Sequence, residues 1–596
     1  MSPMKTSEYI VKYLHEYGIE YIFMIPGGGA MFLNDAVGYG PIKYVCTHGE
    51  QAATMAAKAY AQYSGKLGVV CVTTGCGGTN TITGVLDAYQ DNAPILIISG
   101  NNNLWETIKG SGLKLKQFGG QEADILSIVE PITKYAKMVE KPEDIKYELQ
   151  KAIHVATHGS PGPVWLDIPM NIQCAQIDET KLSEFVPSRE VLKPISEEIS
   201  KMVMMFQQAS RPIVLVGQGV RLAKSISEFK KFIEENNLPV VASKLGIDIL
   251  EYDNPLYIGN IGTKGDRAGN FAIQNSDLVL VLGSRLAVSS TSQRFNWFAR
   301  EAKKIVVDIN SIEHQKKTVK IDLFIECDLK KFFEMMNYIC LKTAKSSWVE
   351  ICQHWKEIFK TYSPSFAESE KINLYYFAEI LSQKLRPNNA IVGDAGSNMF
   401  IPAQGIHISG SQRFIFSAAQ TTMGFTLPAC VGVSLAKNKG EVIGICGDGS
   451  FQFNIHELQT IKHHNLPVKI FVWNNGGYLT MRNTQMNFFK RLNACTPETG
   501  VSFPDTSKIA NAYDIMYFKA DNSKSLPRII DDVLNHKGPV ICEVMCLYNQ
   551  PILTVLGKQN PDGSFTSRPL EDMYPFLDRK IFFKEMIINP VETSYD

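Results

Sequence analysis

Short, wholly apolar runs punctuate the chain from end to end, among them GVVCV, PILIIS, PIVLVG, LVLVLG, KIVVDI, VIGICG and VKIFVW. A strand with one wet face alternates apolar and polar positions, so runs without alternation predict strands covered on both faces. The segments between them place apolar residues at helical spacing. Strands alternating with helices predict stacked βαβ units and parallel sheets, an α/β architecture.

Two polar stretches divide this pattern. IDETKLSEFVPSREVLKPISEE follows the apolar VWLDIPMNIQ, and the Lys- and Glu-rich SSWVEICQHWKEIFKTYSPSFAESEK precedes a third α/β block. The expected domains are therefore 1–175, 195–340 and 371–550, with 551–596 as a wrapping tail of little regular structure. A length of 596 residues gives about four domains at roughly 150 residues each; folds that host ligands between domains run a little larger, so three is the expected count. The first and third blocks share a layout, a strand ending in a Gly-rich turn and then a helix.

Composition narrows the function classes. Hydrophobic residues at 45% and charged residues at 20% exclude a disordered or fibrous chain. Lys+Arg and Asp+Glu are both 60, so the basic excess of a nucleic-acid binder is missing. No apolar stretch approaches the ~18 residues of a membrane span, and the N-terminus carries no signal-peptide pattern. The 12 cysteines sit mostly inside apolar runs without a disulfide rhythm, as expected of a cytoplasmic protein.

The sharpest chemical signal is EVIGICGDGSFQFNIHELQTIKHHNLPVKIFVWNNGGYL. It reads as a strand over 442–446, a tight Gly447-Asp448-Gly449 turn, a helix over 451–464 and a second strand over 468–473 ending at Asn474-Asn475. Both strands of a βαβ unit run the same way, so Asp448 and Asn475 meet at the carboxyl edge where ligands bind in open α/β sheets. A carboxylate, an amide oxygen and backbone carbonyls are hard ligands suited to Mg²⁺, which completes its octahedron with phosphate oxygens and water. The following helix offers its N-terminus to the phosphates. Each piece alone is an ordinary turn or strand-end cap; together, at this spacing, they predict a metal–diphosphate site. Other patterns carry less. VGQGVRL has two glycines of a dinucleotide fingerprint but Leu222 in place of the third. His456, His463 and His464 lack partner ligands at metal spacing.

GDG followed by NN at this distance resembles the thiamin-diphosphate (ThDP) enzymes. IFMIPGGGAMFLNDA, GEQAATMAAKAYA, TTGCGGTN, QEADILSIVEPITKYA, GPVWLDIP, TTMGFTLPA and GDGSFQFNIHELQTI resemble the acetohydroxyacid (acetolactate) synthase group. The resemblance implies three doubly wound parallel-sheet domains: pyrimidine-binding, middle and diphosphate-binding. It implies cofactor sites between two chains, hence a homodimer or tetramer, with neither a nucleic-acid nor a membrane partner. Asp448, Asn475 and the Gly477 carbonyl would hold Mg²⁺. Gly396, Ser397, Asn398, Gly449, Ser450, Tyr478 and Leu479 would surround the diphosphate, and Thr421 and Met423 the pyrimidine. Glu50, before Gln-Ala at a helix start, would share a proton with N1′ of the aminopyrimidine. That shifts the 4′-amine toward its imine, which deprotonates thiazolium C2. Gly49 stands where the family usually has His.

Gly28, Gly120, Gln121, Met481 and Thr484 match the substrate pocket, and here the sequence departs from the group. Thr484 in Arg482-Asn483-Thr484-Gln485 stands where enzymes preferring 2-ketobutyrate carry Trp, and Gly120 replaces a Phe lining the pyruvate site. Both changes remove bulk on the acceptor side. The middle domain lacks the DDR of the flavin pattern, with Ser289 where the Arg would fall, which leaves FAD open. The tail and the PGGGAMFLNDA loop look more like the acetolactate-synthase-like proteins of polysaccharide clusters. The expected activity is decarboxylation of pyruvate and transfer of its two-carbon acetyl unit to a carbonyl acceptor, a nucleotide-linked keto-sugar. The alternatives are plain acetolactate synthesis with pyruvate as acceptor, a decarboxylase or oxidase of the same fold, and a catalytically silent homologue acting as a binding subunit.

Overall fold

The computed structural model describes residues 4–188, 194–339, 341, 345–559, 563 and 565–595. Residues 1–3 of the first expected domain, 340 of the second, and 560–562, 564 and 596 of the tail lie outside the described residues. The seven apolar runs are all strands in three six-stranded sheets, each parallel throughout.

The first sheet orders its strands Lys43–Cys46, Tyr21–Met24, Gly68–Val72, Ile95–Asn101, Val164–Pro169 and Tyr135–Met138. The third runs Arg413–Ile415, Ala390–Val392, Val442–Gly447, Val468–Asn474, Val540–Met545 and Met516–Ala520. In chain order both read 2-1-3-4-6-5, so the shared layout seen in the sequence extends to the whole topology. The middle sheet reads 3-2-1-4-5-6, the order of dinucleotide-binding folds, and reverses direction between Pro212–Val216 and Leu278–Leu282.

The first and third units pack on each other through the Ala-rich helix Glu50–Ser64 and the helix Thr426–Ala436. A Cβ at Gly432 would lie 2.0 Å from the Ala56 carbonyl oxygen, so this close helix crossing requires glycine. Beside it lies a fully buried ion cluster. Lys58 Nζ is 2.7 Å from both Asp87 and Asp91, and all three side chains have zero exposure. The two carboxylates also accept hydrogen bonds from Ser417 Oγ and the Ala418 and Ala419 N–H groups of the third unit.

Two expectations need correction. The helix expected over 451–464 is two helices, Asp448–Phe453 and Glu457–His463. Asn454 leaves helical geometry and points its buried amide at the Gly424 carbonyl, 2.8 Å away. The tail has more regular structure than its sequence suggests. Strands Gly557–Gln559 and Phe565–Ser567 pair antiparallel, and Arg579–Glu585 is helical. The tail is fastened to the middle unit by buried Glu571, which accepts from Arg300 at 2.7 Å and Gln274 at 2.6 Å. Asn275 Oδ1 accepts the Ile587 and Ile588 N–H groups. Among the described residues no helix is long and apolar enough to cross a membrane.

Lys58→Met should lower stability to urea by roughly 3–5 kcal/mol at pH 8, because it strands two buried carboxylates without a cation. Burial pushes Asp87 up to about 6 even with Lys58 beside it. A folded-state value above the ordinary carboxylate range means the fold gains protons as pH falls toward 6. Without Lys58 the carboxylates take up protons at higher pH than in wild type, so the penalty should shrink as pH falls from 8 toward 6, and an equal penalty at pH 5 and pH 8 would contradict the assignment.

Candidate functional site

The carboxyl ends of three neighbouring strands of the third sheet converge. Ala390–Val392 leads into Asp394 and the Gly396 turn, Val442–Gly447 into Asp448, and Val468–Asn474 into Asn475. Asp448 organises the cluster. Its Oδ2 accepts N–H bonds from Asn475 (3.1 Å), Gly476 (2.8 Å) and Gly477 (3.1 Å), and its Oδ1 accepts from Gly449 at 2.8 Å. Burial pushes its pKa up to about 6 in spite of these four donors. Among the described residues no Lys, Arg or His lies within ion-pair distance of it. A buried carboxylate held up by burial, without a paired cation, and flanked by the Asn475 amide oxygen suits a hard dication.

Two glycines of the cluster are sterically required. Gly396 has φ +62° and a Cβ there would meet Thr480 Oγ1 at 2.7 Å; a Cβ at Gly449 would meet the Tyr478 ring at 2.3 Å. Ser397, Asn398 and Ser450 are buried beside them, and the Asn398 amide nitrogen has no hydrogen-bond partner. Such a donor, shut away from water, is the kind of group a bound anion satisfies. The Tyr478 N–H donates to the Cys495 carbonyl, and Leu479 is buried at the start of the helix Leu479–Phe488.

A second loop, 417–426, closes on this edge. Fully buried Asp394 accepts the N–H groups of Gly424 and Thr426, both at 3.0 Å. Thr421 sits at φ +54°, a left-handed conformation unusual for a β-branched residue, and strain of this kind gathers at ligand clamps. Met423 is half-buried next to it. Asp394 carries no role in the sequence reading; its signal is an Asp ending the apolar run AIVGD.

Glu50 opens its helix after extended Gly49, is half-buried, and accepts from Asn80 Nδ2 at 3.1 Å. The neighbouring His48 N–H donates to Glu457 of the third unit at 2.8 Å. Among the described residues no hydrogen bond or ion pair joins Glu50 to the Asp448 cluster within one chain. The substrate-pocket candidates lie on exposed segments. Gly28 has nothing within 4 Å of a would-be Cβ, Gly120 only Asn102 at 3.9 Å, and Met481 and Thr484 are exposed. Gln121 has φ +60°, and its carbonyl occupies the space a Cβ at Gly75 would need. Glu122, which sequence reasoning also missed, accepts the N–H groups of Ile108, Phe118 and Gly119 and so shapes the loop bearing Gly120.

A separate cavity of about 390 Å³ lies at the strand-order reversal of the middle sheet. Its lining includes Gly219, Gly283, Ser289 and Asp308 from the middle unit and Ala418 from the third. Gly219 and Gly283 touch so closely that a Cβ on either would clash. Gly219, the second glycine of VGQGVRL, thus stands at a cleft despite the missing third.

Comparison with known proteins matches residues 4–123 to the thiamine pyrophosphate enzyme N-terminal TPP binding domain, 199–336 to the central domain and 394–544 to the C-terminal TPP binding domain. Acetolactate synthase large subunit of Lactococcus lactis is 30% identical over 564 residues, covering 93% of this chain and 94% of that protein. The chain belongs to the acetolactate synthase-like family of thiamine pyrophosphate enzymes. Within that family, acetolactate synthase isozyme 2 large subunit of Escherichia coli is 30% identical over 91% of this chain and 95% of its own length. The probable acetolactate synthase large subunit of Methanocaldococcus jannaschii is 32% identical over 91% and 92%. The family's C-terminal TPP binding domain model begins at Asp394 and spans the whole Asp448 cluster.

Asp448→Ala should leave the Asn475 and Gly477 N–H groups without an acceptor even in cofactor-free protein, whereas Gly476 keeps Asn474 Oδ1 at 3.1 Å. Hydrogen exchange of the Asn475 and Gly477 amides should accelerate by about ten- to a hundredfold, the cost of an unsatisfied buried donor. Unchanged protection would show that the loop is held by something other than Asp448.

Proposed function

We propose that the protein is a ThDP- and Mg²⁺-dependent carboligase. It decarboxylates pyruvate and transfers the two-carbon acetyl unit to an acceptor carbonyl, a nucleotide-linked keto-sugar. The observation that carries the cofactor reading is the Asp448 cluster: a buried carboxylate without a paired cation, an amide oxygen and an unpartnered amide donor at one sheet edge, in a chain of this family. Bound ThDP supplies an electron sink for loss of CO₂. Asp448, Asn475 Oδ1 and the Gly477 carbonyl hold the metal. Gly396, Ser397, Asn398, Gly449, Ser450, Tyr478 and Leu479 surround the diphosphate, and Thr421 and Met423 hold the pyrimidine end.

Glu50 holds the proton exchanged with the aminopyrimidine. The absence of any bond from Glu50 to Asp448 among the described residues of one chain supports a site completed between two chains, in a homodimer or tetramer. Gly120 and Thr484, standing where related sequences carry large aromatics, support an acceptor larger than pyruvate. A wide site holds a small acceptor poorly in attack geometry, whereas a sugar nucleotide contributes remote binding energy. The second reading, acetolactate formation from two pyruvates, is favoured by the names of the relatives. The middle-unit cavity supports a nucleotide ligand: a glycine turn at the sheet reversal and Asp308 at the next strand end suit phosphate and ribose. FAD is the ligand to test there, and visible flavin absorbance of the purified protein reads it directly.

Glu50→Gln should retain ThDP but lose at least ~100-fold in rate, the size of a general acid–base contribution. Exchange of the C2 proton of bound ThDP is the direct assay, and a wild-type exchange rate would reduce Glu50 to a helix-start residue.

The acceptor is tested by supplying pyruvate with and without nucleotide-linked 4-keto-sugars and reading products by mass spectrometry. The keto-sugar should raise pyruvate consumption sharply, and Thr484→Trp should cut sugar use while sparing acetolactate. Acetolactate formation that no keto-sugar raises or competes with would select the second reading.

A further inference from the structure

Arg482 is 1% exposed, although it sits on a helix whose neighbouring Met481 and Thr484 face solvent. Its Nη2 donates to Asn475 Oδ1 at 2.8 Å, to the Asn475 carbonyl at 3.1 Å and to the Tyr548 carbonyl at 2.6 Å. The guanidinium lies 3.9 Å from the Tyr548 ring centroid. A Cβ at Gly477 would lie 2.8 Å from Nη1 and 2.3 Å from the Cys495 carbonyl oxygen, so the glycine makes room for the arginine. Nε and Nη1 are buried without hydrogen-bond partners among the described residues. Among the described residues no carboxylate forms an ion pair with Arg482.

Arginine stays charged in proteins, and burying a charge without an ion-pair partner is costly; Asp448 offsets part of that cost through space. Here the cost falls beneath the loop 475–477, one hydrogen bond from Asn475 Oδ1. On the reading above, that oxygen faces a divalent ion, and the site receives a diphosphate. The Asn475 oxygen has two lone pairs, so it can accept the guanidinium and still face a metal. A fixed positive charge at this place attracts the diphosphate and repels a dication.

We propose that Arg482 is a built-in cation of the diphosphate site. It positions Asn475 and supplies part of the positive charge the diphosphate needs, so that this chain holds ThDP with less help from Mg²⁺ than Asp448, Asn475 and Gly477 alone would allow. The inference rests on the ThDP reading of this site.

The test is the ThDP dissociation constant, by isothermal titration, in saturating Mg²⁺ and in EDTA, and its readout is the EDTA-to-Mg²⁺ ratio. Wild type should bind measurably in both. Arg482→Met should raise the ratio by about tenfold or more, since it removes a charge that acts mainly when the metal is missing. Arg482→Lys, which keeps the charge and loses the three-way clamp, should stay within about threefold of the wild-type ratio. A merely structural role would weaken binding equally in both buffers and leave the ratio unchanged, which overturns the proposal. No wild-type binding in EDTA at millimolar ThDP overturns it as well, even if Arg482→Met fails to fold. No wild-type binding in Mg²⁺ fells the ThDP reading itself, an outcome distinct from a Mg²⁺-dependent site with an unaltered ratio.

Discussion

A single buried lysine decides how the first and third units meet. Lys58, Asp87 and Asp91 are cut off from water, and past the lysine Asp91 reaches the backbone of 418–419 and Asp87 the Ser417 hydroxyl. Buried ion pairs contribute little net stability once desolvation is counted, but an incomplete one is strongly disfavoured. The cluster therefore acts as a condition on geometry. Only the arrangement that delivers Ser417 and the 418–419 amides to Asp87 and Asp91 gives the two carboxylates, which share one cation, the further donors they need. Asp394 takes the other end of the same loop at Gly424 and Thr426, and Thr421 is held in its unfavourable backbone conformation between the two anchors.

The fold was legible because parallel sheets covered on both faces leave an apolar run for each strand, and every run quoted from the sequence lies in a sheet. The Asp448–Asn475 relationship was legible for the same reason. Adjacent parallel strands 442–447 and 468–474 keep their ends in register, so the distance along the chain fixes the distance in space. The groups that escaped notice act across long separations. Lys58 finds Asp91 33 residues away, and Asp91 in turn holds Ala418, 327 residues distant. Arg482, among polar and exposed neighbours, has the sequence context of a solvated helix face; only the loop folding over it buries it. The interruption of the 451–464 helix was hidden likewise, since its cause is the bond from Asn454 to Gly424.

The Asp448 cluster shows how backbone and side chain share the work. The carboxylate turns three successive N–H groups inward, which orients the 475–477 segment, and glycine at 477 lets Arg482 and the Cys495 carbonyl approach from behind. The aspartate thus sets the front of the loop and the arginine its back. Substitutions on either side would reach the same atoms, so their effects should not be additive.

The tail carries a consequence for how the molecule comes into being. Arg300 and Gln274 find their partner in Glu571, which lies 271 and 297 residues further along the chain. As the chain leaves the ribosome, the middle unit acquires its own sheet early, yet its edge keeps an unmatched Arg300 guanidinium until the 571–589 region has emerged. Its full cohesion is delivered late, by a segment made after the third unit. A chain interrupted just short of Glu571 would retain every residue of the candidate active site and still present the cell with a middle unit whose polar seam is open, a natural handle for quality-control proteases.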